Sequence, residues 1–467
     1  MALPAFAAWM LEQEARALMM RLAGVRPFAL QESMLPAANL LPTSQIAIEK
    51  FLSAGRSRLR RLLDEFLRWL RSAESSHIGA EEAQRRFTIL RLRFNAVLTQ
   101  FDLFENVITQ RSENQTGVWL SGLDVASADA LRLRERFFEA PPIICYLDRG
   151  TGAAIRRSRT RLPGGGSNPV AIIKVPRERM VGSGIASSLF HEVGHQAAAL
   201  LGLVESLRPE LRGMSRDDPE EAPAWQLWER WISEILADFW SVARVGVAAT
   251  MGLMAVVSLP RPFVFRLDAR DPHPTPWIRV KLSAALGHAL YPQPAWEQLA
   301  DLWELYYPPR SLDPELHDTL AMLERTIPAL VTLLIHHRPA VLRGKSLPEV
   351  LDLEELWPAR LRGHLQHWRS EPQEMYRARP ILAFAAVGQG RADGKITPEE
   401  ESTVLGKLLT HWALTSTLEA AAGCADLPPR DYKSQRDVKH DEPISTTTRR
   451  TPWPIQKKPA RAVFAGL

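Results

Sequence analysis

Apolar residues recur at three- and four-residue spacing along most of this chain, the pattern of helices with one buried face. Between Phe51 and Leu70 they fall at Leu59, Leu62, Leu63, Phe66 and Leu70, and a second long helix is expected over Ala80–Arg111. The first twenty residues read as an amphipathic helix, and residues 1 to about 110 as helical. The texture changes near Pro141-Pro142. Ile143–Leu147 and Val170–Val175 are short unbroken apolar runs suited to strands. The Gly- and Arg-rich stretch between them, from Arg149 through Gly164-Gly165-Gly166, matches neither glycine pattern that cradles phosphate and reads as a flexible loop. An apolar helix starts after Gly182-Ser183-Gly184. Charges and prolines from Glu205 to Pro223 then mark a loop. A Trp-rich helix over Ala224–Arg244, an apolar helix within Val245–Pro260 and a proline-rich connection to Pro276 follow. Residues 277 to about 375 read as mostly helical, and a small helical unit runs from Pro380 to about Ala422.

These elements describe an α+β protein that is mostly α-helical. The expected divisions are a helical region over 1–139, a mixed region over 140–375 that holds both strands, a small helical unit over 376–424, and a basic tail over 425–467 that is disordered. No internal repeat stands out. The longest uncharged run, Val245–Pro260, falls short of the ~20 residues a bilayer span needs, so a buried core helix is expected there and no transmembrane segment. The N-terminus lacks a basic leader, and Glu12 and Glu14 interrupt its apolar run, which argues against a signal peptide.

Charge changes this picture only at the end of the chain. The formal net charge is +5, and from Arg430 onward nine Lys/Arg face four acids, which accounts for the whole excess. The folded body is therefore near neutral and gives no case for nucleic-acid binding. The tail is a candidate contact for an acidic partner. Arg56, Arg58, Arg60, Arg61 and Arg68 surround the Leu59–Leu70 stripe, either as a solvated face or as a membrane or partner surface. The two cysteines, Cys145 and Cys424, form no metal motif and no disulfide framework, which fits a reducing, cytoplasmic location. Fourteen Trp against six Tyr is an unusual ratio with no functional reading in the sequence alone.

The chemistry lies in His191-Glu192-Val193-Gly194-His195. A helix turns once in about 3.6 residues, so His191 and His195 share a face and can converge on one cation. Glu192 beside them can take a proton from a metal-activated water. A catalytic zinc needs a third protein ligand and an open position. Downstream, Glu234 and Asp238 stand four residues apart on a helix crowded with Trp, Ile, Leu and Phe. Two acids on an apolar face are expensive to bury unpaired. A metal bound by Glu234 and a ligand histidine bonded to Asp238 would satisfy both, whereas solvent or pairing with Arg230 or Arg244 is the plainer alternative.

On these residues the chain resembles the gluzincin group of zinc metallopeptidases, which carry HExxH on one helix and an ExxxD-type segment, often ExxAD, on a later one. Glu234-Ile235-Leu236-Ala237-Asp238 fits that segment. The resemblance implies a zincin-like catalytic region within 140–375. It makes His191, His195 and Glu234 ligands of one Zn2+, Glu192 the base, and Asp238 the group that orients a ligand histidine. It also implies hydrolysis of a polypeptide substrate, with the strand Val170–Val175 as the edge strand a substrate would join. His273-Pro274-Thr275-Pro276-Trp277-Ile278-Arg279 is similar to the HPxxxxR element of M48-type peptidases. By that likeness His273 would hydrogen-bond the oxyanion and Arg279 would hold the site electrostatically. M48 enzymes usually carry transmembrane helices, and none is expected here.

Arg391–Glu401 has the glycine and last glutamate of an EF-hand loop, but Gln389 and Arg391 occupy its first and third positions and exclude a standard calcium site. The phrase resembles the helical turn of TerB-like domains, and Thr397-Pro398-Glu399-Glu400 suits a helix start without metal. Two functions remain open at this point. One is a zinc metalloendopeptidase. The other is a non-catalytic binding or scaffold protein on the same core, using the TerB-like unit and the tail for contacts.

Overall fold

The computed structural model describes residues 3–24, 35–148, 152–162, 165–177, 182–268 and 270–425. The basic tail expected beyond residue 425 lies outside them. Four helices come first: α1 (Ala5–Gly24), α2 (Pro42–Leu70), α3 (Ala80–Thr109) and α4 (Asn114–Leu131). Three strands follow, β1 (Ile143–Asp148), β2 (Ala154–Arg156) and β3 (Ala171–Pro176). The remaining helices are α5 (Ser183–Leu200), α6 (Leu203–Asp217), α7 (Ala222–Val245), α8 (Val247–Val257), α9 (Arg261–Val264), α10 (Pro276–Leu290), α11 (Ala295–Tyr306), α12 (Pro314–His336), α13 (Leu347–Val350), α14 (Pro358–Ser370), α15 (Pro372–Arg377), α16 (Pro380–Ala392) and α17 (Pro398–Ala425). The α+β, mostly helical class holds. Residues 1–422 form one compact unit, and the divisions expected after residues 139 and 375 both fall within it.

The small sheet runs β1-β3-β2, with β1 parallel to β3 and β2 antiparallel to it. Both strands expected from sequence are present and buried on both faces, which is why they read as unbroken apolar runs. Ile143, Cys145 and Leu147, with Ala171, Ile173 and Val175, face the main core and α5. Ile144 and Ile172 face a second cluster with Leu52 of α2 and Phe101 and Phe104 of α3. A third cluster joins α1, the later half of α2 and the first half of α3.

The sheet corrects two expectations. β3 is the central strand, not the edge: β2, inside the stretch expected to be a loop, pairs with it from Ala154↔Lys174 to Arg156↔Ile172 and takes the edge. The turn beyond β2 is also hydrogen-bonded, with a bridge between Arg161 and Ser167 and with Gly165 and Gly166 at φ +94° and +93°, where a side chain would be strained.

The opposite edge, on β1, is closed by side chains. Asp124 accepts from the Cys145 N–H at 2.7 Å and Arg111 donates to the Cys145 carbonyl at 2.7 Å. Gln110 both accepts from the Leu147 N–H and donates to its carbonyl, each at 2.7 Å. Arg111 and Asp124 are fully buried and paired at 3.0 Å. Unpaired strand edges invite a new strand, and among the described residues no strand pairs with the outer edge of β2.

The stretch from Glu205, expected to be a loop, is mostly helix. Leu203, Leu207 and Leu211 recur every fourth residue and bury one face of α6, while Pro209 and the charges lie on its exposed face. The tryptophan excess belongs to the scaffold around α7. Trp225, Trp228, Trp231, Trp240, Trp277, Trp296 and Trp303 are almost wholly buried. Their indoles cross-link elements: Trp228 donates to Thr326 Oγ1 at 2.8 Å, Trp240 to the Ala130 carbonyl at 3.1 Å, and Trp303 to the Trp277 carbonyl at 3.2 Å.

Helix α8 is buried in the core, as its uncharged sequence implied. Among the described residues α12 is long and apolar enough to cross a membrane by length and composition, and here it buries Leu320, Leu323, Ile327 and Leu330 against the core. α16 packs into the same core through Ile381, Phe384 and Val387. Between α16 and α17, Gly394 adopts φ +63°, the Thr397 N–H donates to Glu400 at 2.8 Å, and the Glu400 N–H donates to Thr397 Oγ1 at 3.3 Å. This turn needs no metal to close.

Candidate metal centre

The centre forms where α5 crosses α7. A Cβ on Gly194 would lie 2.8 Å from Ala237 Cα, 2.9 Å from its carbonyl oxygen and 2.9 Å from Trp240 Cβ. Only glycine permits that approach. Gly194 stands three residues after His191 and one before His195, and Ala237 stands in the same relation to Glu234 and Asp238. The contact of the two small residues therefore sets both histidines against both carboxylates.

Glu234 lies between the imidazoles. His191 Nε2 is 3.2 Å from one of its oxygens and His195 Nε2 is 3.4 Å from the other. The ligating atoms of His191, His195 and Glu234 all fall within 4.8 Å of one another. His191 Nδ1 is 2.8 Å from Asp238, and His195 Nδ1 is 3.4 Å from Ser233 Oγ. An Nδ1–H held by a carboxylate leaves the Nε2 lone pair free for a cation. A divalent cation with nitrogen and oxygen ligands fits this set, because each imidazole already points Nε2 inward and the acid supplies negative charge.

Arg279, from the first turn of α10, forks Asp238 through Nε at 2.6 Å and Nη2 at 2.8 Å. It acts on the centre through Asp238. Burial alone would raise the Asp238 carboxyl, but Arg279 and His191 hold it far below the ordinary carboxylate range. Burial likewise opposes ionisation of Glu234, and the bonds from His191 and His195 overcome it and hold that acid ionised. Without a cation, burial disfavours the charged form of His191, yet Asp238 and Glu234 lift it to about 9. Glu192 is 7% exposed, and burial raises its carboxyl even though both histidines pull it back.

The loop before α10 brings in His273. Its Nε2 is 3.3 Å from Glu234, while Asp271 accepts from its Nδ1 at 2.7 Å and from its backbone N–H at 3.0 Å. His273 is half exposed and sits at the rim. The structure thus gathers all seven residues singled out in the sequence: His191, Glu192, His195, Glu234, Asp238, His273 and Arg279. Four supporting residues were not anticipated. Gly194 and Ala237 were signalled only as small residues at matching offsets, Asp271 by the Asp-Pro-His turn, and Ser233 by lying beside Glu234.

No protein-family model matches the chain, no curated protein matches it, and no solved structure does.

Proposed function

We propose that this chain is a zinc-dependent peptidase of gluzincin type. The observation that carries the reading is the convergence of His191, His195 and Glu234 with a buried, unligated Glu192 beside them. When bound, zinc acts as a Lewis acid toward a water and a carbonyl oxygen. His191, His195 and Glu234 would hold it. Asp238 fixes the His191 ring, and Arg279 fixes Asp238. Glu192, with its carboxyl raised by burial, takes a proton from the attacking water and passes it to the leaving amine. His273, steadied by Asp271, faces the carbonyl oxygen from the rim and stabilises charge that develops there.

The sheet supports the same reading. β2 leads into β3, and β3 into the metal-binding helix α5. The Ser158 N–H, just past β2, donates to Gln196 Oε1 at 2.9 Å, one residue beyond His195. An extended substrate joining the open edge of β2 therefore lies beside the centre.

Cleavage of a peptide library by zinc-loaded wild type, Glu192→Gln and His195→Ala tests this. Glu192→Gln is expected to retain one equivalent of zinc and lose cleavage by at least about a hundredfold. His195→Ala is expected to lose the zinc. Full zinc occupancy with no cleavage by wild type would refute the enzyme reading and leave a binding protein.

A further inference from the structure

We propose that the edge strand β2 and the turn after it select acidic polypeptide segments for the metal centre. The proposal rests on the peptidase reading and names the substrate class for it.

Ala154-Ile155-Arg156-Arg157-Ser158-Arg159-Thr160-Arg161 contains four arginines and no acid. All four are exposed, whereas Ile155 packs toward the main core. Among the described residues none of the four guanidinium groups is in an ion pair, and Arg159 reaches only the Glu139 carbonyl, at 3.5 Å. Lys174, the partner of Ala154 across the strand pair, adds a fifth cation. Residues 1–429 carry 49 Lys/Arg against 49 Asp/Glu, so this row is a local excess of positive charge on a body that is neutral overall.

The row is also fixed in place. The Asn168 amide donates to the Arg156 carbonyl at 3.3 Å and to the Arg157 carbonyl at 3.1 Å. The Arg159 N–H donates to the Asn168 carbonyl at 2.8 Å, and the Asn168 N–H to Thr160 at 2.8 Å. The bond from Ser158 to Gln196 then ties the turn to the helix that carries both histidines.

Four like charges within six residues repel one another, and carboxylates placed among them relieve that repulsion. A peptide extended along β2 brings alternate side chains past the row at intervals of about 6.8 Å. Nucleic acid is the other polyanion to consider. It lacks the backbone N–H and C=O groups that complete a strand edge, and residues 152–162 hold no aromatic side chain on which bases would stack.

The test uses the full chain carrying Glu192→Gln, loaded with zinc so that binding is read without cleavage. Fluorescence anisotropy compares a ten-residue Glu/Ala peptide with its Gln/Ala counterpart at low salt. The acidic peptide is expected to bind at least about tenfold more tightly, a gap that closes as salt rises. Adding Arg156→Gln, Arg157→Gln and Arg161→Gln, all at exposed positions, is expected to shrink the gap below about threefold with zinc content unchanged. Replacing the same three with Glu is expected to transfer the preference to a Lys/Ala peptide. Equal binding of the two peptides, a preference untouched by the three substitutions, or equally strong competition by a single-stranded oligonucleotide of matched charge would each overturn the proposal. Preference without cleavage by wild type would sink the peptidase reading and leave the acidic selectivity standing. Cleavage without preference would do the reverse.

Discussion

Gly194→Ala places a methyl group at the crossing of α5 and α7. Its carbon would sit 2.8–2.9 Å from Ala237 Cα, the Ala237 oxygen and Trp240 Cβ. Carbon atoms pack at about 3.5–4.0 Å, so the helices must part by roughly 1 Å. None of the three obstructing atoms is the far end of a flexible side chain, so relief means moving the helices themselves. Overpacking of this kind costs about 1–3 kcal/mol. The consequence for the metal is larger. Zinc–carboxylate distances are about 2.0–2.2 Å and tolerate only ~0.2 Å, and an opening of 1 Å takes Glu234 out of reach of a cation held by His191 and His195. Zinc affinity, read by competition with a chromophoric chelator, is expected to fall at least a hundredfold. Urea unfolding of the chelated protein is expected to show the 1–3 kcal/mol loss. Gly213→Ala is the control, because Gly213 is also helical and has nothing within 4 Å of its would-be Cβ. It is expected to be neutral or stabilising by about 0.4–1 kcal/mol. Zinc affinity of Gly194→Ala within threefold of wild type would refute the claim that this contact sets the centre.

Asp238→Asn keeps the shape of the side chain but removes the charge that Arg279 and His191 share, and zinc affinity is expected to drop by about 10- to 100-fold; an unchanged affinity would remove Asp238 from its role. In chelated protein His191 sits at about 9, above the ~6.5 of an unfolded histidine, so its contribution to stability is complete below pH 6.5 and lost as pH rises through 9. With zinc held at His191 Nε2, that nitrogen would carry no proton to lose. The difference in Tm between loaded and chelated protein is therefore expected to widen from pH 6.5 to 9.5, by the equivalent of about 3 kcal/mol, and a constant difference would contradict the pairing with Asp238. Asp124→Ala leaves Arg111 buried without its partner and the Cys145 N–H without an acceptor; a loss of about 3–5 kcal/mol in urea unfolding is expected, and a loss below about 1 kcal/mol would show that the β1 edge is not closed by this pair.

What the sequence showed and what it hid follow from the range of the interactions. Ligand spacing within one helix is local: two residues four apart share a face wherever the helix goes, so His191 with His195 and Glu234 with Asp238 were legible as pairs. Their meeting depended on a non-local contact, and the residues that make it, Gly194 and Ala237, carry no chemistry to notice. β1 and β3 announced themselves because both faces are buried. β2 did not, since three residues with two exposed side chains give no apolar run, and strand order is set by non-local pairing of β1 and β2 on the two sides of β3. Without β2, the strand that leads into α5 looked like the edge. α6 was hidden by Pro209 and its charges, although Leu203, Leu207 and Leu211 already carried the four-residue period of a buried face. The tryptophan excess has no local pattern in the sequence because its role is non-local: seven of the indoles pack around α7 and α10, where they keep Glu234 and Asp238 in place.

A cation held by two imidazoles and one carboxylate has a distinctive coordination shell, and X-ray absorption at the zinc edge of the purified, zinc-reconstituted protein reads it. Two imidazole nitrogens at about 2.0–2.1 Å and a carboxylate oxygen at about 2.0–2.2 Å are expected, with one imidazole lost in His195→Ala and the carboxylate lost in Glu234→Ala. Zinc that washes away from wild type, or a coordination shell unchanged by both substitutions, would contradict it.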